Sequence, residues 1–481
     1  MGRRADHRRA APVDSVVVSA GPPTYSIRTF GCQMNEHDSE RMAGMLEAGG
    51  YSRTEDPEDT SVLVFNTCCI RENADSRLYG NLGHAKRIKD NRPGMRIVVA
   101  GCLAQKDRHA IQKRAPWVDV VLGTHNLASL PRLLEQSQRA PAFEILEQTE
   151  VFPSALPARR SSSWHAWVSI SIGCNNACTF CIVPAVRGKE VSRRGHEIVE
   201  EVESLVADGV VEITLLGQNV NSYGRDLGGT PLFAELLRAL DKVDGLERIR
   251  FTSPHPKDFR VDTVAAMAEC DSVCEHIHLP LQAGSDRVLK VMKRAYTRAR
   301  YLDKVRMVRE AIPGVAITTD IIVGFPGETE DDFGATLEVV EEVRYDAAYT
   351  FQYSPRPGTV ASDLPGHLPK DVVQRRYDRL TEMQEAISSE QNRATVGRIQ
   401  EVLVEGPSKK DPSRLTGRTR TNKLVHFQGS DLGILDGSLR DVVIDRAHPH
   451  FLEGHLAQEE APSRRVSLPL VGAAKGCAPG A

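Results

Sequence analysis

A chain of 481 residues is too long for a single ordinary core and implies two or three domains. Its formal net charge of −3 excludes a uniformly basic nucleic-acid-binding surface, so any RNA contact has to come from local patches. Aromatic residues make up only 5% of the chain, while short aliphatic runs recur between charged helical stretches, which suits an α/β architecture.

The N-terminal 23 residues are basic, but their apolar stretch is too short for a signal-peptide core, and no other apolar run could span a bilayer. Gly2 does not open a myristoylation signal, because Asp6 stands where Ser or Thr is needed. The expectation is a cytoplasmic protein with no membrane attachment and with disordered tails at 1–23 and 457–481. Ten cysteines in a reducing compartment do not make a disulfide framework, so spacing has to separate ligands from packing residues.

Residues 24–140 read as an N-terminal domain. "YSIRTFGC", "SVLVFNTC" and "RIVVAGC" are each a short apolar strand that stops at a cysteine: Cys32, Cys68 and Cys102. Helix-like segments follow near Glu36, Glu72 and Asp107, giving three successive βα units. Ligands of an open parallel sheet gather beyond the carboxyl ends of its strands, so these three thiols can converge. One such cysteine is most simply a small hydrophobe at the end of a buried strand. Three at equivalent positions, in a chain with a second cysteine group downstream, are better explained as ligands of an iron–sulfur site. Cys69 is an adjacent candidate, but neighbouring strand residues face opposite ways, so only one of the pair is expected to ligate.

That second group is "CNNACTFC", which follows the alternating run "WVSISIG" and places Cys174, Cys178 and Cys181 within eight positions. A closed structural zinc site needs four ligands, and no second cysteine pair follows. A thioredoxin-like reading uses Cys178 and Cys181 and leaves Cys174 unexplained. Three thiolates on a four-iron cluster leave one iron open to an exogenous ligand. The spacing, with Phe180 before the last cysteine, resembles the signature of radical S-adenosylmethionine enzymes. In that family the amino and carboxylate groups of S-adenosylmethionine chelate the open iron. An electron from the cluster then cleaves the sulfonium to give a 5′-deoxyadenosyl radical.

Within residues 160–386, strand-like runs at 212–217, 248–253, 275–281, 315–325 and 346–353 alternate with helix-length segments at 195–208, 230–243, 285–311 and 329–344. With the run before Cys174 they make about six βα units, a parallel sheet or partial barrel with its site at the C-terminal strand ends. The polar strand-end residues taken singly are ordinary turn or capping residues. The family resemblance makes Gly217, Gln218, Asn219, Ser253, Gln282 and Arg294, with Phe180, candidates for S-adenosylmethionine binding. His276 and His278 alternate on one strand face and read as hydrogen-bonded histidines, since no further clustered ligand accompanies them. Cys270 and Cys274 read as packing residues, and Cys477 falls in the C-terminal tail.

From 388 to 456 short strand-like runs separated by turns suit a small β-barrel. Its segment "KKDPSRLTGRTRTNK" carries Lys409, Lys410, Arg414, Arg418, Arg420 and Lys423, interleaved with Ser, Thr and Gly. A solvated basic hairpin is the commonest fate of such a run. Phosphate contact is the functional alternative. "RGKEVSRR" at 187–194 is a second candidate stretch for phosphate.

Taken together, "TFGCQMNEHDSERM", "NTCCIRENADSRLYGNLG", "CNNACTFCIVPAVRGKEVSR", "GQNVNSYG", "HLPLQAGSDRVLKVMKRAYT" and "TDIIVGFPGETEDDF" resemble the methylthiotransferase family, from about Tyr25 to about Leu456. The resemblance implies an open parallel α/β methylthiotransferase domain, a partial (β/α)6 radical S-adenosylmethionine barrel and a small RNA-binding TRAM β-barrel. It implies two 4Fe-4S clusters, an auxiliary one on Cys32, Cys68 and Cys102 and a radical one on Cys174, Cys178 and Cys181. Cys69 departs from the family pattern, which commonly has alanine there, and matching to "NTC" favours Cys68 as the middle ligand. The implied substrate is tRNA bearing N6-isopentenyladenosine beside the anticodon, a base that has to be splayed out of its loop. An electron donor such as flavodoxin or ferredoxin and a monomeric state complete the expectation.

The family chemistry explains two clusters. The hydrogen on adenine C2 is far too weakly acidic for a side-chain base working near neutral pH, so a radical has to remove it. One S-adenosylmethionine methylates a sulfur at the auxiliary cluster, and a second yields the radical. The nearest rivals are methylthiotransferases for threonylcarbamoyl-adenosine in tRNA or for an aspartate of a ribosomal protein. "GQNVNSYG" and "LTGRTRTNKLVHF" look most like the prenyl-adenosine branch. A noncatalytic iron–sulfur RNA-binding protein would not need the cofactor-binding strand ends.

Overall fold

The structure, a computed structural model, describes residues 22–69, 72–147, 152, 156–429 and 433–457. Cys477 and nearly all of the two expected tails lie outside the described residues.

The N-terminal domain is an all-parallel sheet of six strands in the order Ser52–Arg53, Thr24–Phe30, Val62–Thr67, Arg96–Gly101, Val120–Leu122, Ala142–Glu144. Val62–Thr67 is buried along its whole length, as the apolar run Val62–Phe65 requires of a strand covered on both faces. Helices Gln33–Ala48 and Glu72–Asn91 follow the first two cysteine-ended strands. The third helix does not wait for Asp107. It begins at Cys102 itself and breaks at Arg108, whose φ of 48° ends one short helix and starts the next, His109–Arg114.

Two three-stranded parallel sheets form the central domain: His165–Ser169, Glu212–Leu216 and Arg248–Phe251, then His276–His278, Ala316–Val323 and Ala347–Gln352. A parallel bridge between Ile249 and Val273 joins them, so the six strands stand side by side in chain order. Among the described residues the first and last strands do not pair, leaving the barrel partial, with Tyr349 and Phe351 exposed on the free edge. The expected helix 285–311 is two helices, Asp286–Val291 and Arg298–Ala311. Lys293 takes φ 54° after the first, and the Arg294 amide donates back to Leu289, closing the helix before Thr297 caps the second.

Helix Lys370–Arg393 packs on the strand Ala347–Gln352 and runs straight through the expected boundary at 386–388. The C-terminal domain is a closed five-stranded barrel, Ile399–Pro407, Arg414–Thr419, Leu424–Gln428, Leu452–Leu456 and Leu439–Ala447. It contains one strand, Arg414–Thr419, that the basic segment conceals, because Arg and Thr alternate there in place of apolar residues. Buried arginines lock this barrel to the central domain. Arg248, fully buried, donates to the carbonyls of Arg418 and Glu401 and to the Glu401 carboxylate, and Arg250 donates to the carbonyls of Thr419 and Arg420. Among the described residues no helix is long and apolar enough to cross a membrane.

Candidate active site: two cysteine sets on facing strand ends

Cys32, Cys68 and Cys102 each stand immediately beyond a strand of the N-terminal sheet. The backbone there leaves no room for larger residues. A Cβ on Gly31 would lie 2.7 Å from the Cys68 Cβ, and one on Gly101, at φ 90°, would lie 2.3 Å from Asn66 Oδ1. Cys32 hydrogen-bonds Cys68, which draws its thiol down to about 6 against the pull of burial, with further help from the Arg187 charge. Cys102 pairs with Cys69 and is lowered by that bond first and by Arg187 as well, while Cys69 is raised by the same bond and by burial. Among the described residues no three side chains close around a single ion, the arrangement that would suit zinc. An iron–sulfur cluster takes its protein ligands as separate thiolates, which this donor set can supply.

Cys174, Cys178 and Cys181 are half-buried on the loop beyond His165–Ser169. Gly173 permits that loop: at φ 74°, its Cβ would overlap the Lys189 carbonyl at 2.0 Å. Burial raises the thiols of Cys174 and, to about 12, Cys181, so an unmetallated site holds them protonated. Arg294, buried and set by the turn at Lys293, donates to Cys178 Sγ at 3.3 Å and to the Tyr296 hydroxyl at 3.0 Å.

The other expected cofactor residues divide by what they touch. Phe180 packs against the central core. Gly217 brings two strand ends together, since a Cβ would sit 2.7 Å from Ser171 Oγ, and Gln218 is half-buried beside it. Ser253 and Gln282 both hold left-handed backbone, at φ 60° and 68°, beyond adjacent strands, a conformation that non-glycine residues adopt where local structure forces it. Ser253 is exposed and Gln282 buried. Asn219 is turned inward, its amide donating to Asp258 at 2.8 Å, and so is held by the fold. His276 and His278 share the Thr318 hydroxyl at 3.2 and 3.0 Å. Cys270 and Cys274 are buried.

The two cysteine sets meet through the segment after Cys181. Ile182 and Val186 are buried in one apolar cluster with Cys69, Cys102 and Leu103. Arg187 follows, almost fully buried, with Nη2 2.8 Å from Asp38 Oδ2 and a hydrogen bond to Cys102. Arg356, from beyond the last barrel strand, donates to the Cys69 carbonyl at 2.9 Å. Arg356 and Ile182 also line a cavity of about 190 Å³, together with Cys69, Lys106 and Pro357 among others. Sequence reasoning missed Asp38 and Arg356 and gave Arg187 only a phosphate role; the Gly-Cys pairs at 31–32, 101–102 and 173–174 were the available signal for tight turns at the sites.

The basic segments need correction. Arg187 and Arg193 are buried ion-pair partners, of Asp38 and Glu201, leaving Lys189 and Arg194 as the exposed basic residues of that stretch. In the small barrel Arg420 is clamped on Glu275 at 2.8 Å and Lys423 on Asp346 at 2.7 Å, both across the domain junction. Arg414 pairs with Glu453 and Arg418 with Glu405. Lys409 and Lys410, at the tip of the turn, are exposed.

Residues 24–123 match the uncharacterized protein family UPF0004, 168–340 the radical SAM superfamily and 393–457 the TRAM domain. The chain is 60% identical over 439 residues to a tRNA-2-methylthio-N(6)-dimethylallyladenosine synthase of Saccharopolyspora erythraea, covering 89% of each. It is 57% identical to one of Streptomyces coelicolor, covering 92% of this chain and 88% of that one, and 55% identical to one of Mycolicibacterium smegmatis, covering 94% and 90%. Among solved structures, the radical S-adenosylmethionine methyltransferase TsrM of Kitasatospora setae superposes with a TM-score of 0.53 at 14% identity, over 71% of this chain and 77% of that one, a likeness of fold alone. With three domain matches in this order and relatives of this identity over nearly its whole length, the chain belongs to the family of tRNA-2-methylthio-N(6)-dimethylallyladenosine synthases, enzymes of the radical SAM superfamily.

Proposed function

We propose that this chain transfers a methylthio group to C2 of N6-isopentenyladenosine beside the anticodon of tRNA. The observation that carries this reading is that the loop of one three-cysteine set reaches the other, through Ile182 and Val186 packed in one cluster with Cys102 and Arg187 hydrogen-bonded to it. Cys174, Cys178 and Cys181 would hold the radical 4Fe-4S cluster, and Cys32, Cys68 and Cys102 an auxiliary one. Bound there with S-adenosylmethionine, these clusters supply the electron, the radical and the sulfur.

The chain's own residues supply position and exclusion of water. Gly217, Gln218, Ser253 and Gln282 would line the S-adenosylmethionine cleft, with Phe180 beside the cluster loop; Asn219 would shape the cleft through Asp258. Arg294 would steady the Cys178 thiolate. Ile182 and Pro357 give the cavity an apolar wall suited to a prenyl group, while Arg356 brings positive charge for the nucleotide's phosphate. Lys409 and Lys410 would take phosphates farther along the RNA, with Arg414 and Arg418 behind them. The protein would work in the cytoplasm as a monomer, reduced by a flavodoxin- or ferredoxin-like donor.

The test is anaerobic. The chain is reconstituted with iron and sulfide and given S-adenosylmethionine, a strong reductant and tRNA carrying the prenylated base, and the digested nucleosides are read by mass spectrometry. The 2-methylthio nucleoside should form, and should vanish when Cys174, Cys178 and Cys181 become Ala. Cofactor cleavage to 5′-deoxyadenosine without that nucleoside would move the substrate to threonylcarbamoyl-adenosine or a ribosomal aspartate. Neither product from fully loaded protein would overturn the enzymatic reading.

A further inference from the structure

Arg187 is supplied by the loop of one cysteine set and spends its charge on the other. It lies six residues after Cys181 on the short helix Val183–Arg187, yet its guanidinium hydrogen-bonds Cys102, faces Cys32 and pairs with Asp38. The Arg187 side chain is 4% exposed and that of Asp38 fully buried, so neither charge is screened by solvent. The other basic groups nearby are committed or neutral. Lys106 pairs with Asp107 at 3.3 Å, and burial followed by the Arg187 charge drives His125 below the ordinary histidine range.

The guanidinium cannot swing away. Ile182 and Val186 are packed beside Cys69 and Cys102, and the Val186 carbonyl accepts the Thr124 hydroxyl at 2.6 Å. Its planar fork is what allows one cation to face a carboxylate and a thiol together, which an ammonium does poorly. Three thiolates in a dry site are a concentration of negative charge, and each electron added to a cluster they hold adds more. A fixed cation hydrogen-bonded to one of them and acting on the charge of another favours the reduced form, since hydrogen bonds to cluster sulfurs and local charge set the potential.

We propose that Arg187 is a positioning residue that raises the reduction potential of the cluster held by Cys32, Cys68 and Cys102, so that the loop carrying the radical site also sets the electronics of the auxiliary one. The inference rests on the two-cluster reading above, and its test needs no tRNA.

The full-length chain with Cys174, Cys178 and Cys181 changed to Ala is loaded anaerobically, so that only the auxiliary cluster is present, and its potential is read by EPR at poised potentials. R187Q should lower the potential by the equivalent of a tenfold loss in reduced-state stability, about 59 mV for one electron. R187K should recover part of the shift, and D38N, which removes the offsetting carboxylate, should move the potential upward. An R187Q protein with full iron content and the parent potential overturns the proposal, as does D38N shifting the same way as R187Q. If R187Q fails to load, the sign of the D38N shift decides; if D38N fails too, loading of R187K supports a charge requirement and its failure overturns the proposal. A parent that loads no auxiliary cluster overturns this proposal and the two-cluster reading together. A loaded, arginine-sensitive cluster in this variant, together with an intact six-cysteine chain that leaves tRNA unmodified in the assay above, overturns only the substrate reading.

Discussion

Arg294 Nη1 lies 3.3 Å from Cys178 Sγ although 116 residues separate the two. The same guanidinium donates through Nε to Tyr296, whose hydroxyl in turn reaches the carbonyls of Pro280 and Leu281 at 2.9 Å, so a strand end and a cluster loop share one buried cation. Arg294→Met should therefore cut 5′-deoxyadenosine formation at least tenfold, about the worth of a hydrogen bond to a charged group. Arg294→Lys should recover only part of it, because an ammonium cannot serve Cys178 and Tyr296 in one plane. Iron content measured alongside separates a weakened cluster from a misplaced cofactor.

Cys68 and Cys69 make different bonds, the first to Cys32 and the second to Cys102. Cys68→Ala should abolish auxiliary-cluster loading. Cys69→Ala should leave iron content and the visible absorbance of the reconstituted protein near parental values. The opposite pattern would assign Cys69 as the ligand.

Lys409 and Lys410 are exposed at a turn tip, whereas Arg420 is held by Glu275 and by the carbonyls of Asp271 and Val273. Charge reversal at Lys409 and Lys410 should weaken tRNA binding and flatten its dependence on salt by about one to two counterions. Arg420→Ala should instead lower the urea midpoint, because it breaks a partly buried interdomain ion pair. A salt slope unchanged by the lysine variant would remove the tip from the RNA surface.

Burial, then the charges of Arg294 and Lys257, press the His255 imidazole down to about 2, far below its ordinary 6.5. The neutral ring fits its bonding, since Nδ1 accepts the Lys257 amide at 3.1 Å. Below pH 6.5 the unfolded chain takes up a proton that the folded chain refuses, so stability falls as pH falls. Between pH 7 and pH 5 the loss from this group should be about 2 kcal/mol. Urea unfolding at the two pH values should show it, and His255→Gln should flatten the difference.

The cysteines and the strands that end in them were legible because thiol spacing and apolar runs are local signals. Cys32, Cys68 and Cys102 announce themselves as the last residues of "FGC", "NTC" and "AGC". The split of 285–311 was not legible, because a lysine at φ 54° gives no sign of itself where glycine would. Nor was the fate of the basic runs. Whether an arginine meets solvent or a buried carboxylate depends on partners such as Asp38 and Glu275, which lie 149 and 145 residues away in the chain. Charge counts along a sequence cannot separate those outcomes.

The arginine lock between the barrels has a metric consequence. Arg248, Glu275 and Asp346 stand at or just before the starts of their strands, while the cysteine sets gather beyond the strand ends. Handle and reaction point are thus separated by the length of the sheet, about 26 Å for the eight residues Ala316–Val323. Under the function proposed above, an RNA held at the small barrel would have to reach along that length, past the exposed Tyr349 and Phe351, to present its base.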